Sequence, residues 1–255
     1  MKFGETVHMT IRMARLSWLA AVAALVCFAA PPPGYKLAWA DEFDGKTLDM
    51  AKWNHRTDSK HWSTQKPENV LLANGNLVLM LNKEKAGDKE YTGAGVISKR
   101  AFRFGYYESR FRIDAGKGWH SSFWMMGHDG SGGTGTTKTA LELDVIENDS
   151  INLNSYGVNL HKWQGEHVSY GHKNVATSSL AEYHVFGCLY TPEKVTYYLD
   201  GQPVRAVDVA ALPHGELHIW LTSIASHLGK TDAVDESRLP GRVLYDYVRF
   251  YEGGK

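Results

Sequence analysis

Three carboxylates lie within Leu141-Glu142-Leu143-Asp144-Val145-Ile146-Glu147-Asn148, interleaved with apolar side chains. Two carboxyl groups held over a groove can divide acid–base and nucleophilic work, one staying charged while the other keeps a proton to give. On a regular strand, side chains alternate with period two. Glu142 and Asp144 then share a face, and Glu147 falls on the opposite one with Leu143 and Val145. One extra residue, a β-bulge near Val145-Ile146, returns Glu147 to the side of Glu142. The aliphatic residues then pack into a core and the three acids line an open face. A calcium site or a solvated acidic face are the other readings of this spacing. Calcium sites, however, usually gather their oxygen ligands from a loop. A solvated face does not need the aliphatic residues between its acids.

The elements that must hold this segment read as strands and turns. Asn69–Ala73 and Asn76–Met80 flank Asn74-Gly75, a hairpin signal, and Val195–Leu199 and Gln202–Val204 flank Asp200-Gly201 in the same way. From Tyr106 to Ile113 the chain alternates, with Tyr107, Ser109, Phe111 and Ile113 on one side and Tyr106, Glu108, Arg110 and Arg112 on the other. Tyr245–Tyr251 reads as a further aromatic-rich strand. No helical apolar stripe is sustained, the best being Asp208–Leu212, so the pattern predicts an all-β sandwich or barrel. The stretch Gly130–Gly135 lacks the Lys-Ser/Thr of a phosphate loop and reads as a surface loop.

The 255 residues suffice for one domain with a sizeable core, and an aromatic content of 12% argues against disorder. Lys+Arg and Asp+Glu are both 28, which leaves no basic surplus to neutralise a phosphate backbone, so a nucleic-acid partner is disfavoured. The N-terminus carries Lys2, Arg12 and Arg15, then an apolar run from Leu16 to Ala30, then Pro31-Pro32-Pro33-Gly34. This is the layout of a secretory signal, and the run is shorter than the roughly 20 residues of a spanning helix. The expectation is a signal peptide over residues 1–30 and one domain over 31–255. The product is expected to be secreted or periplasmic, monomeric, and without stable membrane association; an uncleaved anchor is the rival. Cleavage after residue 29 removes three basic residues and Glu5, so that 28 basic and 28 acidic become 25 and 27, a net −2. Cys188 is then alone, which forbids an intramolecular disulfide, and its apolar surroundings read as core.

Glu142-x-Asp144-x-x-Glu147 resembles the bulged active-site motif of glycoside hydrolase family 16, the laminarinase, lichenase, agarase and carrageenase group. The resemblance extends through Trp39-Ala-Asp-Glu-Phe-Asp-Gly45 and Glu68-Asn-Val70. It continues in Phe104–Arg110, Gly118–Met125, Tyr190–Gly201 and Asp246–Tyr251, in the family's order over about residues 35–252. It implies a jelly-roll sandwich of two curved antiparallel sheets whose concave face forms a polysaccharide cleft. Glu142 would be the nucleophile, Glu147 the general acid/base and Asp144 an electrostatic partner. The charges of Glu142 and Asp144 would raise the pKa of Glu147 and keep it protonated. The resemblance also points to Trp124, Trp119, His161, Trp163 and Asn69 as sugar contacts. No cofactor is required; a structural calcium at Asp246 is a weak carry-over. Twelve His show no zinc-type spacing. Asn148-Asp149-Ser150 is a formal glycosylation sequon, read as chance because a glycan there would obstruct the cleft.

The expected substrate is a β-1,3- or mixed-linkage glucan. Ala140-Leu141 before the first acid, where laminarinases usually carry a Gly, keeps an agar-, porphyran- or carrageenan-type galactan as the alternative. Lys99, Arg100 and Arg103 would suit sulfate groups. A transglycosylase and a non-catalytic carbohydrate-binding sandwich are the other readings; retention of all three acids argues against the last.

Overall fold

The alternating segments become the strands of two stacked sheets in a computed structural model that describes Met1, residues 30–128 and residues 141–254. Residues 2–29, which carry the expected export signal, and Gly130–Gly135 lie outside the described residues. The first sheet runs Gln202–Asp208, Lys194–Leu199, His184–Tyr190, Gly105–Asp114, Gly241–Gly253, Asn76–Leu81, Val70–Ala73, with Tyr35–Asp41 also on Gly241–Gly253. The second runs Val168–Ser169, Ser155–Lys162, Leu141–Asn148, Trp119–Met126, His218–Ala225, Tyr91–Ser98, Ser63–Gln65, Ser59–Lys60. Lys173–Ala176 and Trp53–His55 are attached to its second and sixth members. Pairing is antiparallel except between Ser63–Gln65 and Tyr91–Ser98. Among the described residues there is no α-helix, only 3₁₀ turns at Pro67–Asn69 and Glu236–Arg238. The architecture is a jelly-roll sandwich, as expected.

Both hairpins form for the reason their turns announce. Asn74 and Gly75 have φ of 52° and 69°, and Asp200 and Gly201 have 48° and 78°. Two successive left-handed residues are what a two-residue hairpin turn needs, and Asn, Asp and Gly adopt that region most readily.

The core lies between the sheets. Leu79, Phe111, Ile113 and Tyr245 enter from the first sheet; Val96, Phe123, Leu143, Ile146 and Leu221 enter from the second. Each such side chain contributes about 1.5–3 kcal/mol on burial. Cys188 is a free thiol within this core, and burial pushes its pKa up, as a small structural hydrophobe requires. The acid strand, Leu141–Asn148, sits centrally in the second sheet, so its aliphatic face is fixed by the core and its other face is presented away from it.

Candidate active site

The bulge falls where the apolar pattern demands it. Against Trp119–Met126, Asp144 is opposite Trp124 while Ile146 is opposite Phe123, which leaves Val145 as the extra residue. Against Ser155–Lys162, Asp144 faces Asn159 and Glu147 faces Gly157, three steps against two. Val145 and Ile146 are both buried, at 1% and 0% exposure. Two successive core side chains force the strand to slip by one residue, and the slip turns Glu147 to the side of Glu142 and Asp144. All three acids line one cleft of about 340 Å³, together with His120, Ser122, Trp124, His161, Thr222 and Arg56.

Each acid has its own partners. The Trp163 indole N–H donates to Glu142 Oε2 at 2.7 Å, and its ring stacks on His167 at 3.9 Å between centroids. Asp144 is buried at 2% exposure. Burial first, then the charges of Glu147 and Glu142, push its pKa well above the usual carboxylate range. It therefore keeps a proton and donates it to Glu142.

His161 Nε2 lies 3.3 Å from Asp144 Oδ2. Asn159 Oδ1 accepts from Leu160 N and Ser169 Oγ, so its amide nitrogen is the end that donates to His161 Nε2 at 2.9 Å. That leaves the proton of the ring on Nδ1, which donates to His167 Nε2 at 3.0 Å. Burial, with His167 adding to it, lowers the His161 pKa against the pull of Glu147, and the ring is neutral.

Glu147 differs from the expectation. Burial pushes its pKa up, but the hydrogen bond and charge of His120 outweigh this and hold it below the ordinary value. His120 Nε2 is 3.2 Å from Glu147 Oε1 and its Nδ1 is 2.9 Å from Asp149 Oδ1. Two carboxylate acceptors require two N–H donors. Burial opposes a charged ring, yet the bonds and charges of Asp149 and Glu147 raise the His120 pKa to about 9. The negative field of Glu142 and Asp144 was the only influence visible in the motif; the cation beside it was not.

The predicted sugar contacts divide. Trp124 lines the cleft, its Nε1 donating to Thr222 Oγ1 at 3.2 Å and its ring lying 4.7 Å from Trp220. His161 lines it too, and Trp163 is bound to the first acid. Trp119 does not: it is 0% exposed and packs in the core. Asn69 is also buried, its amide donating to Thr92 Oγ1 and Gly93 O and its Oδ1 accepting from Asn82, so it braces the chain rather than a sugar. Asp246 lies away from the acid cleft and pairs with Arg110, whose Nη1 is 2.6 Å from its Oδ2. Among the described residues, the one group with metal-like spacing is Glu142, Asp144 and His161, the acid centre itself. Asn148 is 6% exposed with its amide bonded to Asn152 O and Ser155 O, which leaves the sequon no free acceptor.

His120 and Arg56 escaped the sequence reading. Strand alternation carried the signal for the first: if Trp124 faces the cleft, so do Ser122 and His120, while Trp119 must face the core. Arg56 had no such signal. It follows Trp53–His55, its guanidinium held by Asp58 at 2.6 and 3.0 Å and placed 5.6 Å over the Trp220 ring.

The family described as Beta-porphyranase A-D, GH16 domain, matches residues 36–252. A β-glucanase of Rhodothermus marinus is 24% identical over 245 residues, covering 86% of each chain. A β-glucanase of Acetivibrio thermocellus is 25% identical over 221 residues, and there the chain spans only 61% of the relative's length. Beta-porphyranase E of Zobellia galactanivorans is 28% identical over 194 residues, covering 65% of this chain and 66% of the relative. The laminarinase structure from Rhodothermus marinus superposes with a TM-score of 0.76 at 21% identity, covering 87% of this chain and 98% of the other. With nearly the whole folded region matched and the bulged acid strand in place, the chain belongs to glycoside hydrolase family 16.

Proposed function

We propose that the protein is a secreted, retaining endo-β-glycosidase that cuts a polysaccharide, most simply a β-1,3- or mixed-linkage glucan. The observation that carries this reading is the slip at Val145-Ile146, which sets three acids into one cleft. Glu142 attacks the anomeric carbon while Glu147 protonates the departing oxygen, and water then releases the sugar from the Glu142 ester with Glu147 as base. Retaining enzymes hold such carboxyls about 5–5.5 Å apart. Asp144, protonated and bonded to Glu142, supports that carboxylate until it reacts. The β-glucanase relatives support the glucan. Export rests on the N-terminal pattern of charge, apolar run and prolines, and release from the membrane after cleavage belongs to that reading.

A second reading, an anionic galactan, is favoured by the porphyranase-type family description and by Arg56 and Lys60 in the cleft wall. Lys99, Arg100 and Arg103 do not add to it. They lie outside the acid cleft, where Lys99 donates to Met50 O and Arg100 pairs with Glu252. The intermediate can also be intercepted by a sugar hydroxyl, so transglycosylation is an outcome the products reveal.

Reducing ends released from laminarin and lichenan, and none from porphyran or agarose, are the expected result. The reverse pattern selects the galactan, and binding without cleavage across the panel overturns the enzyme. In Glu147→Ala, azide should restore turnover of an aryl glycoside with a good leaving group and yield a β-glycosyl azide. An α product would contradict retention.

A further inference from the structure

Resting on the acid/base reading of Glu147, we infer that His120, clamped by Asp149, is a positioning residue that stores the proton Glu147 gives to the leaving group. Geometry is the ground. His120 is buried, its side chain 10% exposed, and its imidazole stands between two carboxylates, with Nε2 on Glu147 and Nδ1 on Asp149. The Asp149 end is built rather than incidental. Ser150 turns at φ 56°, its N–H held by Asn148 Oδ1 at 2.7 Å and its hydroxyl by Trp119 O at 3.1 Å, which folds Asp149 back over the preceding strand. Gly229 clears the space: a Cβ there would meet Asp149 Cβ at 2.4 Å.

The groups facing the ring can be named from every side. Glu147 comes from the acid strand and Asp149 from the turn just beyond it, with Glu142 and Asp144 behind them, and His61, Lys60 and Arg56 come from across the cleft. On its other neighbour, His218–Ala225, the ring's strand partner is Ile224, which does not titrate. His61 has its own pKa lowered to about 4, by burial first and then by Lys60, His227, His120 and Arg56, so it brings no charge near neutrality. The carboxylates therefore decide the state of His120.

The proton balance is simple. The His120–Glu147 pair rests with one proton more than the neutral ring and free carboxylate would hold. When that proton sits on Glu147, His120 is neutral. It leaves for the glycosidic oxygen as the C1–O bond breaks, its electron pair goes to that oxygen, and Glu142 bonds C1. Water then attacks C1, its proton goes to Glu147, the electron pair of the ester bond returns to Glu142, and the pair is reset. Activity should thus persist until the pair, rather than an isolated carboxyl, loses its proton.

The test is the pH dependence of kcat/KM on laminarin or porphyran, whichever is cleaved, for wild type, His120→Gln and Asp149→Asn. The alkaline limb should move down by about one pH unit or more in His120→Gln and in the same direction in Asp149→Asn. A uniform fall in rate with the limb unmoved in both overturns the inference. Nitrogen NMR of the intact wild-type protein decides it should a variant fail to fold or neither glycan be cut. Both His120 ring nitrogens should carry protons at about pH 7.5, well above the ordinary His value, and a neutral ring there overturns it. Wild-type rates in Glu147→Ala on the polysaccharide would instead overturn the acid/base reading, leaving the NMR result to stand for His120.

Discussion

The acid strand is flanked by two histidines that look equivalent in sequence and are opposite in charge. His120, on the preceding strand, has a carboxylate at each nitrogen and is held protonated to about 9. His161, on the following strand, meets a protonated Asp144, the amide of Asn159 and a second imidazole, and burial keeps it neutral. The lesson is that burial alone does not set a histidine's charge; the number of anionic acceptors at its two nitrogens does. The preceding flank manages the proton of Glu147, whereas the following flank manages the orientation of Glu142.

The largest effect should come from removing the proposed nucleophile, which the following flank orients. Glu142→Gln should lower kcat by several orders of magnitude while the near-UV spectrum and unfolding midpoint stay at wild-type values, since Trp163 can still donate to the amide oxygen. Retained turnover would break the comparison at its centre. Trp163→Phe keeps the stacked ring and deletes one hydrogen bond to a charged group, about 1.5–3 kcal/mol. The corresponding fall in kcat/KM is about 10–100-fold, and an unchanged value would mean that the following flank only packs.

The two tryptophans of Trp119–Met126 sharpen the comparison from within one strand. Trp119→Ala should lower unfolding free energy by about 3–5 kcal/mol through the cavity it opens. Trp124→Ala should instead raise KM about tenfold, near 1.4 kcal/mol, with little change in a denaturation midpoint. The reverse pattern would mean that strand alternation has been misassigned.

Much of this was legible in residue types. Period-two alternation and two left-handed turn dipeptides disclose the sheets, because each follows from local sterics. Leu143, Val145 and Ile146 disclose the slip, because two adjacent aliphatic side chains cannot both enter a core from a regular strand. Other features were settled by distant partners and left no local trace. Asp246 meets Arg110, far away in the chain, and Asn69 meets Thr92 and Asn82. Asp149 reaches His120 only because Ser150 turns the chain back and Gly229 makes room for its side chain. The motif alone therefore predicted a raised pKa for Glu147, and the cation that reverses it comes from a neighbouring strand.

The smallest expected effect separates the two flanks most directly. In His161→Gln one neutral hydrogen-bonding group replaces another, so kcat/KM should fall by no more than about tenfold, the loss of about 0.5–1.5 kcal/mol. The sign of its pH dependence follows from the lowered pKa. A ring already neutral above its ordinary value of about 6.5 releases no proton on the alkaline side, so deleting it leaves the alkaline limb where wild type has it. His120 titrates at higher pH, where the limb lies, so its removal must move the limb. A displacement in His161→Gln equal to that in His120→Gln would show that the working proton is shared across the acid strand, and the two flanks would cease to differ in kind.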